Sequence, residues 1–317
     1  MRNSVLIAGA GQMGSRYLQG LSKLTKPTDI FVFDVLPQSL LICEQRWNEM
    51  KTAASHEVRY VSSLEDLSPT MELAIVACTA DVRTNLIKKI QKQADVKNWV
   101  LEKVLAQSVS EISELLKLLK NRLSWVNTPM YLWPLYFKLR ELYAAGAGAP
   151  IEANFEGFNG LTCNAIHYVD FVARWNGARV TDLDTSGLQT EWYPTKRNGF
   201  YEIDGEIRAT FSDGSILRLY SDRNNLGYKV KLKIDGEEWN VSESEGLARC
   251  SDNRVVLGGI EFQSQMTAPL AQAIFLGTPC GLPTLAESAQ QHTLFVGNLL
   301  EHWNQNMPNK VDRLPIT

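Results

Sequence analysis

The stretch Val5-Leu6-Ile7-Ala8-Gly9-Ala10-Gly11-Gln12-Met13-Gly14 decides the fold at the start of this 317-residue chain. Its apolar run predicts a buried strand, and the residues after it, 13–24, predict a helix. Three glycines lie at the spacing GxGxxG: the first permits a tight turn, the second admits a pyrophosphate, and the third lets helix and strand pack closely. We therefore expect a dinucleotide to be held by Gly9, Gly11, Gly14 and the first helical residues, Gln12 and Met13.

An acidic residue follows at the spacing that this kind of site uses. The second predicted strand, residues 30–33, leads into Asp34, twenty positions after Gly14. A carboxylate there hydrogen-bonds the ribose hydroxyls of the adenosine and repels a 2′-phosphate. No arginine or lysine occurs in residues 35–37 to accept that phosphate. The sequence therefore favours NAD as the cofactor over NADP.

The pattern of apolar runs changes near residue 125. Before it, short apolar strands alternate with amphipathic helices, which predicts a doubly wound parallel sheet in residues 1–125. Residues 126–317 predict an α+β domain with a large, mostly antiparallel sheet, with helices at 131–143, 165–175, 267–276 and 284–303. Hairpin turns are expected at 212–214 and 235–236. The glycine- and alanine-rich residues 146–150 predict a joint.

Composition limits the classes of protein that the chain can be. A net charge of −3 gives no attraction to nucleic acid or to a membrane surface. No apolar stretch approaches the ~18 residues of a membrane span, and the start does not resemble a signal peptide. Five cysteines lie scattered without CxxC spacing, which indicates reduced thiols in a cytoplasmic protein. The four histidines complete no metal-binding pattern with them.

A second motif follows the strand predicted at residues 99–101. Glu102-Lys103-Val104-Leu105-Ala106 puts a carboxylate and an amine at the carboxyl end of a parallel strand, where ligands of such sheets bind. Together with the glycine turn and the acidic strand end, this motif resembles the Gfo/Idh/MocA family of nicotinamide-dependent oxidoreductases. The resemblance extends to segments 127–136, 160–170 and 281–292, and so covers nearly the whole chain.

The resemblance implies a reaction and its residues. Family members interconvert an alcohol and a ketone, many of them on sugars, cyclitols or sugar nucleotides, and associate into homodimers or homotetramers through the sheet of the second domain. By resemblance, Lys103 orients the reacting oxygen and His167 is the acid or base, which suits a group titrating near neutral pH. Thr79 and Glu102 would contact the cofactor. Tyr131, Asn164 and Asp170 would contact the small-molecule substrate.

The sequence departs from the family pattern in several places. Val104 stands where the family usually has proline, and Cys163 stands where many members have a catalytic aspartate. Two alternatives therefore remain open: a reductase of an imine or a linear tetrapyrrole, and a non-catalytic NAD(H)-binding sensor. The apolar neighbours of His167 leave a core histidine as its alternative role.

A basic pair in the second domain suggests an anion site. Lys196 and Arg197 lie between two predicted strands, next to Trp192 and Tyr193. The cations would bind a phosphate or carboxylate while the aromatic rings stack on a sugar or base. A solvated hairpin turn is the alternative interpretation of the same residues.

Overall fold

The computed structural model describes residues 2–143, 148–225 and 227–317, so residues 146 and 147 of the predicted joint lie outside the described residues. The chain divides into two compact units. The first unit comprises the chain up to Leu105 together with Glu114–Asn127 and Glu261–Leu285. The second comprises Ala106–Ser113, Thr128–Ile260 and Ala286–Thr317. Glu261–Leu285 thus groups with residues far from it in the sequence.

The first unit is built on a parallel sheet of six strands in the order β3-β2-β1-β4-β5-β6. The strands are β1 (Asn3–Ala8), β2 (Thr28–Phe33), β3 (Glu57–Val61), β4 (Thr70–Val76), β5 (Asp95–Leu101) and β6 (Leu123–Val126). The carboxyl halves of the central strands are fully buried, which explains their continuous apolar sequences. This order is that of the doubly wound dinucleotide-binding fold, and the predicted fold class is confirmed.

Four helices accompany this sheet: α1 (Gln12–Leu21), α2 (Pro37–Asn48), α3 (Ala80–Gln93) and α7 (Gln263–Leu276). Helix α4 (Val109–Leu118) has residues in both units. Helices α1 and α7 pack closely because Gly20 has no side chain: a Cβ there would lie 2.5 Å from the Cβ of Thr267. The first unit is therefore completed by a helix that comes from near the end of the chain.

The second unit contains a sheet of eight strands in the order β14-β13-β12-β11-β7-β10-β9-β8. All its neighbours are antiparallel except β7 and β10, as predicted for a mostly antiparallel sheet. The strands are β7 (Ile151–Glu156), β8 (Val180–Pro194), β9 (Tyr201–Phe211), β10 (Ile216–Ser221), β11 (Lys229–Ile234), β12 (Glu237–Ser242), β13 (Leu247–Cys250) and β14 (Val255–Leu257). Alternate residues of β10 and β11 are buried, so one face of the sheet is covered and the other is exposed.

Helix α6 (Leu161–Trp175) packs on β7, β9 and β10, and α5 (Pro134–Glu141) and α8 (Leu285–Asn306) complete the helices of the second unit. The prediction of one helix over residues 131–143 is wrong. A short 3₁₀ helix, Pro129–Leu132, ends before Pro134, which begins α5. Proline cannot donate to the preceding turn but fits the first position of a helix. None of the helices described is both long and apolar enough to cross a bilayer.

Candidate functional site

The three glycines of the turn between β1 and α1 have different surroundings. Gly9 has a φ of +109°, and a Cβ there would lie 2.8 Å from the backbone nitrogen of Cys78. A Cβ on Gly14 would lie 1.8 Å from the carbonyl oxygen of Gly9. A Cβ on Gly11 would meet no atom within 4 Å. Gly9 and Gly14 are therefore required by the fold itself, whereas Gly11 leaves its surface open to a ligand.

The amino terminus of α1 is suited to an anion. Its N-cap is Gly11, which provides no side-chain cap, and the first turn holds no acidic residue. Gln12 and Met13 are the first two residues of the helix, and both are exposed. The first backbone N–H groups of a helix have no partner within it and carry a partial positive charge. A pyrophosphate suits this turn because it can accept hydrogen bonds from these N–H groups and because its negative charge is attracted to them.

Asp34, directly after β2, lies against the glycine turn. Its carboxylate accepts hydrogen bonds from the backbone N–H of Ala10 at 2.8 Å and of Leu36 at 2.9 Å. The side chain is half-buried, and each carboxylate oxygen has lone pairs for further donors. These bonds fix an acidic group next to the turn, where an adenosine ribose would need it. Thr79, the N-cap of α3, is half-buried at the end of the neighbouring strand β4.

Glu102 and Lys103 follow β5. Glu102 is buried, and its Oε1 accepts hydrogen bonds from the hydroxyl of Tyr17 and from Nδ2 of Asn127, the latter at 2.7 Å. Burial and the neighbouring Glu102 carboxylate raise the pKa of Tyr17 well above its usual value. Lys103 is half-buried, and the Lys103–Val104 peptide is cis. Glu102 thus has a structural function in the first unit, and its predicted contact with a cofactor stays a prediction.

Two residues, Arg83 and Asn127, form hydrogen bonds at the carboxyl end of β5 but were not identified from the sequence. Arg83 of α3 is buried and donates to the carbonyls of Val104, of Leu105 at 3.0 Å and of Cys78 at 2.6 Å. The sequence placed it only at the start of a helix, where arginine is ordinarily solvated. Asn127 donates from Nδ2 to Oε1 of Gln263 at 2.7 Å as well as to Glu102. Nothing local in the sequence indicates these partners.

Helix α6 carries most of the predicted residues of the second unit. Cys163, Asn164 and His167 are all half-buried. Glu202 of β9 caps this helix: it accepts from the backbone N–H of Thr162 at 2.7 Å and of Cys163 at 3.1 Å. The pKa of the buried Glu202 is raised by desolvation, which these hydrogen bonds oppose. Glu202 therefore fixes the end of α6 that presents Cys163 and Asn164.

Asp170 lies one turn after His167 and is almost completely buried. Its Oδ2 accepts from the hydroxyls of Thr128 at 2.7 Å and Ser288 at 2.6 Å. Its Oδ1 is buried without a hydrogen-bond partner. Burial raises the pKa of Asp170 to about 6, against the opposing effect of the two hydroxyls. Asp170 ties α6 to two other segments, and its predicted contact with a substrate stays a prediction.

Lys196 and Arg197 lie exposed in the turn between β8 and β9. The neighbouring Trp192 is buried, with its ring 5.0 Å from that of Trp303 on α8. The expectation that Trp192 stacks on a sugar is therefore wrong, because the ring is used in the core. Tyr193 donates from its hydroxyl to Oδ1 of Asp204 at 3.1 Å. An anion at the basic pair would thus be bound without the help of Trp192.

Tyr131, in the 3₁₀ helix before α5, lies beside two arginines. The guanidinium carbon of Arg140 is 4.5 Å from the ring centroid of Tyr131, and that of Arg174 is 4.8 Å from it. All three side chains are half-buried. The sequence pointed to Tyr131 alone, since Arg140 is on α5 and Arg174 is on α6. No group of histidine, cysteine and acidic side chains among the described residues could hold a metal ion.

Comparisons with known proteins agree with this architecture. Residues 3–127 match the Gfo/Idh/MocA family model, described as an oxidoreductase family with an NAD-binding Rossmann fold. This match agrees with the resemblance to that family, and the matched model is that of an NAD-binding Rossmann fold. No curated protein matches the chain.

Solved structures match over nearly the whole chain. An oxidoreductase from Agrobacterium radiobacter, in complex with NAD+, L-tartaric acid and magnesium, is 14% identical with a TM-score of 0.71, over 93% of this chain and 94% of the other. The myo-inositol dehydrogenase from Lactobacillus casei, in complex with NAD(H) and myo-inositol, is 13% identical with a TM-score of 0.68, over 98% and 96%. The UDP-N-acetylglucosamine 3-dehydrogenase GnnA from Acidithiobacillus ferrooxidans is 13% identical with a TM-score of 0.67, over 94% and 96%. At these identities the likeness establishes the fold.

Proposed function

We propose that this protein is an NAD-dependent oxidoreductase that interconverts an alcohol and a ketone on a sugar, a cyclitol or a sugar-nucleotide-like substrate. The observation that carries the proposal is the open backbone at Gly11 beside the uncapped start of α1, with Asp34 fixed next to it. The oxidoreductase family whose model matches residues 3–127 supports it. So do the structural neighbours named for inositol and UDP-N-acetylglucosamine dehydrogenases.

In this proposal the backbone of Gly9, Gly11, Gln12, Met13 and Gly14 holds the pyrophosphate. Asp34 accepts hydrogen bonds from the adenosine ribose and excludes a 2′-phosphate by charge, so that NAD binds more tightly than NADP. Thr79 and Glu102 complete the cofactor contacts. When bound, the nicotinamide supplies the position that gives or takes the hydride.

The chain's own residues manage the proton and the substrate. Lys103 orients the reacting oxygen, and the imidazole of His167 takes the hydroxyl proton in the oxidation or returns it in the reduction. Tyr131, Asn164 and Asp170 bind the substrate, and the exposed pair Lys196 and Arg197 is one candidate site for an acidic group of it. Cys163 precedes His167 by one helical turn and stands where many family members have an aspartate, so in this proposal the proton transfer is assigned to His167.

Nicotinamide fluorescence tests the cofactor half of this proposal. Purified wild type, titrated with NADH and with NADPH, should bind NADH at micromolar concentrations and NADPH at least tenfold more weakly. Asp34→Ala should lose this preference. If neither nucleotide binds, the glycine turn has only a structural function and the oxidoreductase proposal fails.

The catalytic half is tested with a panel of sugars, cyclitols and sugar nucleotides, with Lys103→Ala and His167→Ala as variants. Both should abolish turnover while leaving NADH affinity within about twofold of wild type. Tight NADH binding without turnover of any alcohol or ketone would instead support the sensor. Turnover of an imine or a linear tetrapyrrole would support the other reductase, and turnover restored by Cys163→Asp would identify Cys163 as the cause of lost activity.

We also propose that the protein is a cytoplasmic homodimer or homotetramer. The scattered thiols suit a reducing compartment. The eight-stranded sheet has one exposed face, on which apolar side chains such as Ile216 and Tyr220 of β10 are 41% and 38% exposed. β10 lies in the interior of the sheet, so an association there would cover the middle of the exposed face.

A further inference from the structure

Two arginines of the second unit share one aromatic ring. Arg140 of α5 and Arg174 of α6 both have their guanidinium carbon within 5 Å of the ring centroid of Tyr131, at 4.5 and 4.8 Å. An arginine over an aromatic face is attracted by the electrons of the ring, and its planar group is held in a fixed orientation. Tyr131 therefore brings two positive charges from two different helices to one place.

Within the described part of the chain, no acidic side chain forms an ion pair with either arginine. The Nε atom of each is buried and has no hydrogen-bond partner. A buried donor without an acceptor is unfavourable, and more so when it carries a charge. Two such donors beside each other favour an acceptor that comes from outside the chain.

Asp170, a carboxylate one turn before Arg174 on α6, already has hydrogen-bond partners. Its Oδ2 accepts from Thr128 and Ser288. The positive charge of Arg174 favours the ionised form of Asp170 and so lowers the otherwise raised pKa of that carboxyl group. Yet no ion pair joins the two side chains, so the guanidinium keeps its hydrogen-bonding capacity.

Arg174 lies on the same side of α6 as the proposed acid or base. Arg174 follows His167 by seven residues, which is about two helical turns, so both lie on one face of the helix. Long helical side chains generally point back towards the preceding turn, so we expect the guanidinium of Arg174 on the side of its backbone that faces His167. A substrate held at His167 by its reacting carbon could therefore place another group at the arginines.

We propose that Arg140 and Arg174 bind a carboxylate or phosphate group of the substrate, and that Tyr131 holds the two guanidinium groups in position for it. The proposal rests on the proposed function and narrows its substrate to an acidic sugar or a sugar phosphate. Guanidinium groups bind both anions through two parallel N–H···O bonds, which gives orientation as well as affinity. The exposed pair Lys196 and Arg197 is the competing anion site and is separated by the experiment.

Binding of small acids to the whole chain tests the proposal directly. Isothermal titration would compare the carboxylates D-glucuronate and D-galacturonate and the phosphate D-glucose 6-phosphate with neutral D-glucose and D-galactose. Wild type should bind at least one acid ten times or more tightly than its neutral parent. The uronates and the sugar phosphate distinguish the two kinds of anion.

Variants locate the binding. The double variant Arg140→Gln and Arg174→Gln should lose the preference for acids, and Arg174→Lys, which keeps the charge but not the planar fork, should lose part of it. Arg179→Gln, which removes an exposed arginine just after α6, is the matched control and should bind as wild type does. If the double variant does not fold, as judged by circular dichroism, the single variants Arg140→Lys and Arg174→Lys decide, and each should lose part of the preference.

Three outcomes would overturn the proposal: no preference of wild type for any acid, a preference that survives in the double variant, or a preference lost instead in Lys196→Gln with Arg197→Gln. These titrations need neither NADH nor turnover. A chain that fails to bind NADH therefore refutes the proposed function, whereas the arginine site is judged by the sugar acids alone.

Discussion

At the scale of single residues, Asp170 has two opposing effects on stability. Its hydrogen bonds from Thr128 and Ser288 connect α6 with the segment before the 3₁₀ helix and with the start of α8. Its burial disfavours the ionised form and raises the pKa to about 6 from an ordinary value of 3.8. The two hydrogen bonds favour the ionised carboxylate, but desolvation outweighs them, so the folded state is most stable when Asp170 is protonated and loses stability as the carboxyl group ionises.

The pH dependence of unfolding should show this effect. Because the folded pKa of Asp170 is raised, its contribution to stability is complete below pH 4, is lost as the pH rises through 6, and is constant above that. A raise of about two pKa units corresponds to about 3 kcal/mol. The unfolding free energy of wild type minus that of Asp170→Asn should thus fall by about this amount between pH 4 and pH 7.

Urea denaturation followed by tryptophan fluorescence at several pH values measures this difference. Asparagine keeps an oxygen that can accept from both hydroxyls, so the comparison isolates the charge. Asp182→Asn, at an exposed position of β8, is the surface control. A wild-type-minus-variant difference that rises with pH, or that matches the control, would contradict the assignment.

Some site residues were predictable from the sequence and others were not, for a physical reason. Asp34 could be predicted because its place depends on a local spacing, and the structure fixes its carboxylate at the glycine turn. Arg83 and Glu202 could not, because their partners are set by tertiary contacts. Arg83 reaches Leu105 from α3, and Glu202 reaches the start of α6 from β9.

At the scale of elements, folding and ligand binding depend on different glycines of the turn between β1 and α1. Gly11→Ala adds a methyl group that meets no protein atom within 4 Å, so its unfolding free energy should lie within about 0.5 kcal/mol of wild type. The same methyl group occupies the surface that a pyrophosphate must approach, so NADH affinity should fall at least tenfold. Fluorescence titration and urea denaturation measure the two quantities.

Gly14→Ala is the matched control, because it should lower the unfolding free energy, which Gly11→Ala should leave almost unchanged. Its Cβ would lie 1.8 Å from the carbonyl oxygen of Gly9, so β1 and α1 must separate and stability should fall by about 1–3 kcal/mol or more. Unchanged NADH affinity in a stable Gly11→Ala variant would mean that no pyrophosphate approaches this turn.

The predicted elements of the first sheet agreed with the structure better than those of the second. Strands buried on both faces read as continuous apolar runs, which the sequence of β1 or β4 displays directly. Strand β8 has fifteen residues and three register shifts against β9, so its apolar residues do not alternate regularly. The sequence indicated a strand-rich region there without the limits of β8 and β9.

At the scale of the whole molecule, the order of the elements along the chain does not show which of them group together in space. Asn127 bonds Gln263 of α7, and Gly20 of α1 packs on Thr267 of the same helix. The apolar residues of α7 predict a buried helix, but they do not indicate what buries it. A change of pattern near residue 125 therefore marks where the chain leaves the first sheet, and gives no sign that residues 261–285 group with it again.

The exposed face of the eight-stranded sheet leads to a prediction about assembly. In a two-fold symmetric interface each residue contacts the same surface of its copy, so a new charge at the centre is placed near its own counterpart. Ile216→Lys with Tyr220→Lys on β10 should therefore split a dimer into monomers, or a tetramer into dimers, because like charges would be buried together.

Sedimentation velocity at micromolar concentrations measures this, and Leu123→Lys is the control. Leu123 of β6 is 63% exposed and belongs to the other sheet, so its replacement adds a charge at an exposed position away from β10 and should leave the assembly unchanged. A monomeric wild type, or a double lysine variant that sediments as wild type does, would show that the face of β10 is not where copies of this chain meet. Loss of assembly in the β10 variant alone would assign the exposed face to the contact between subunits.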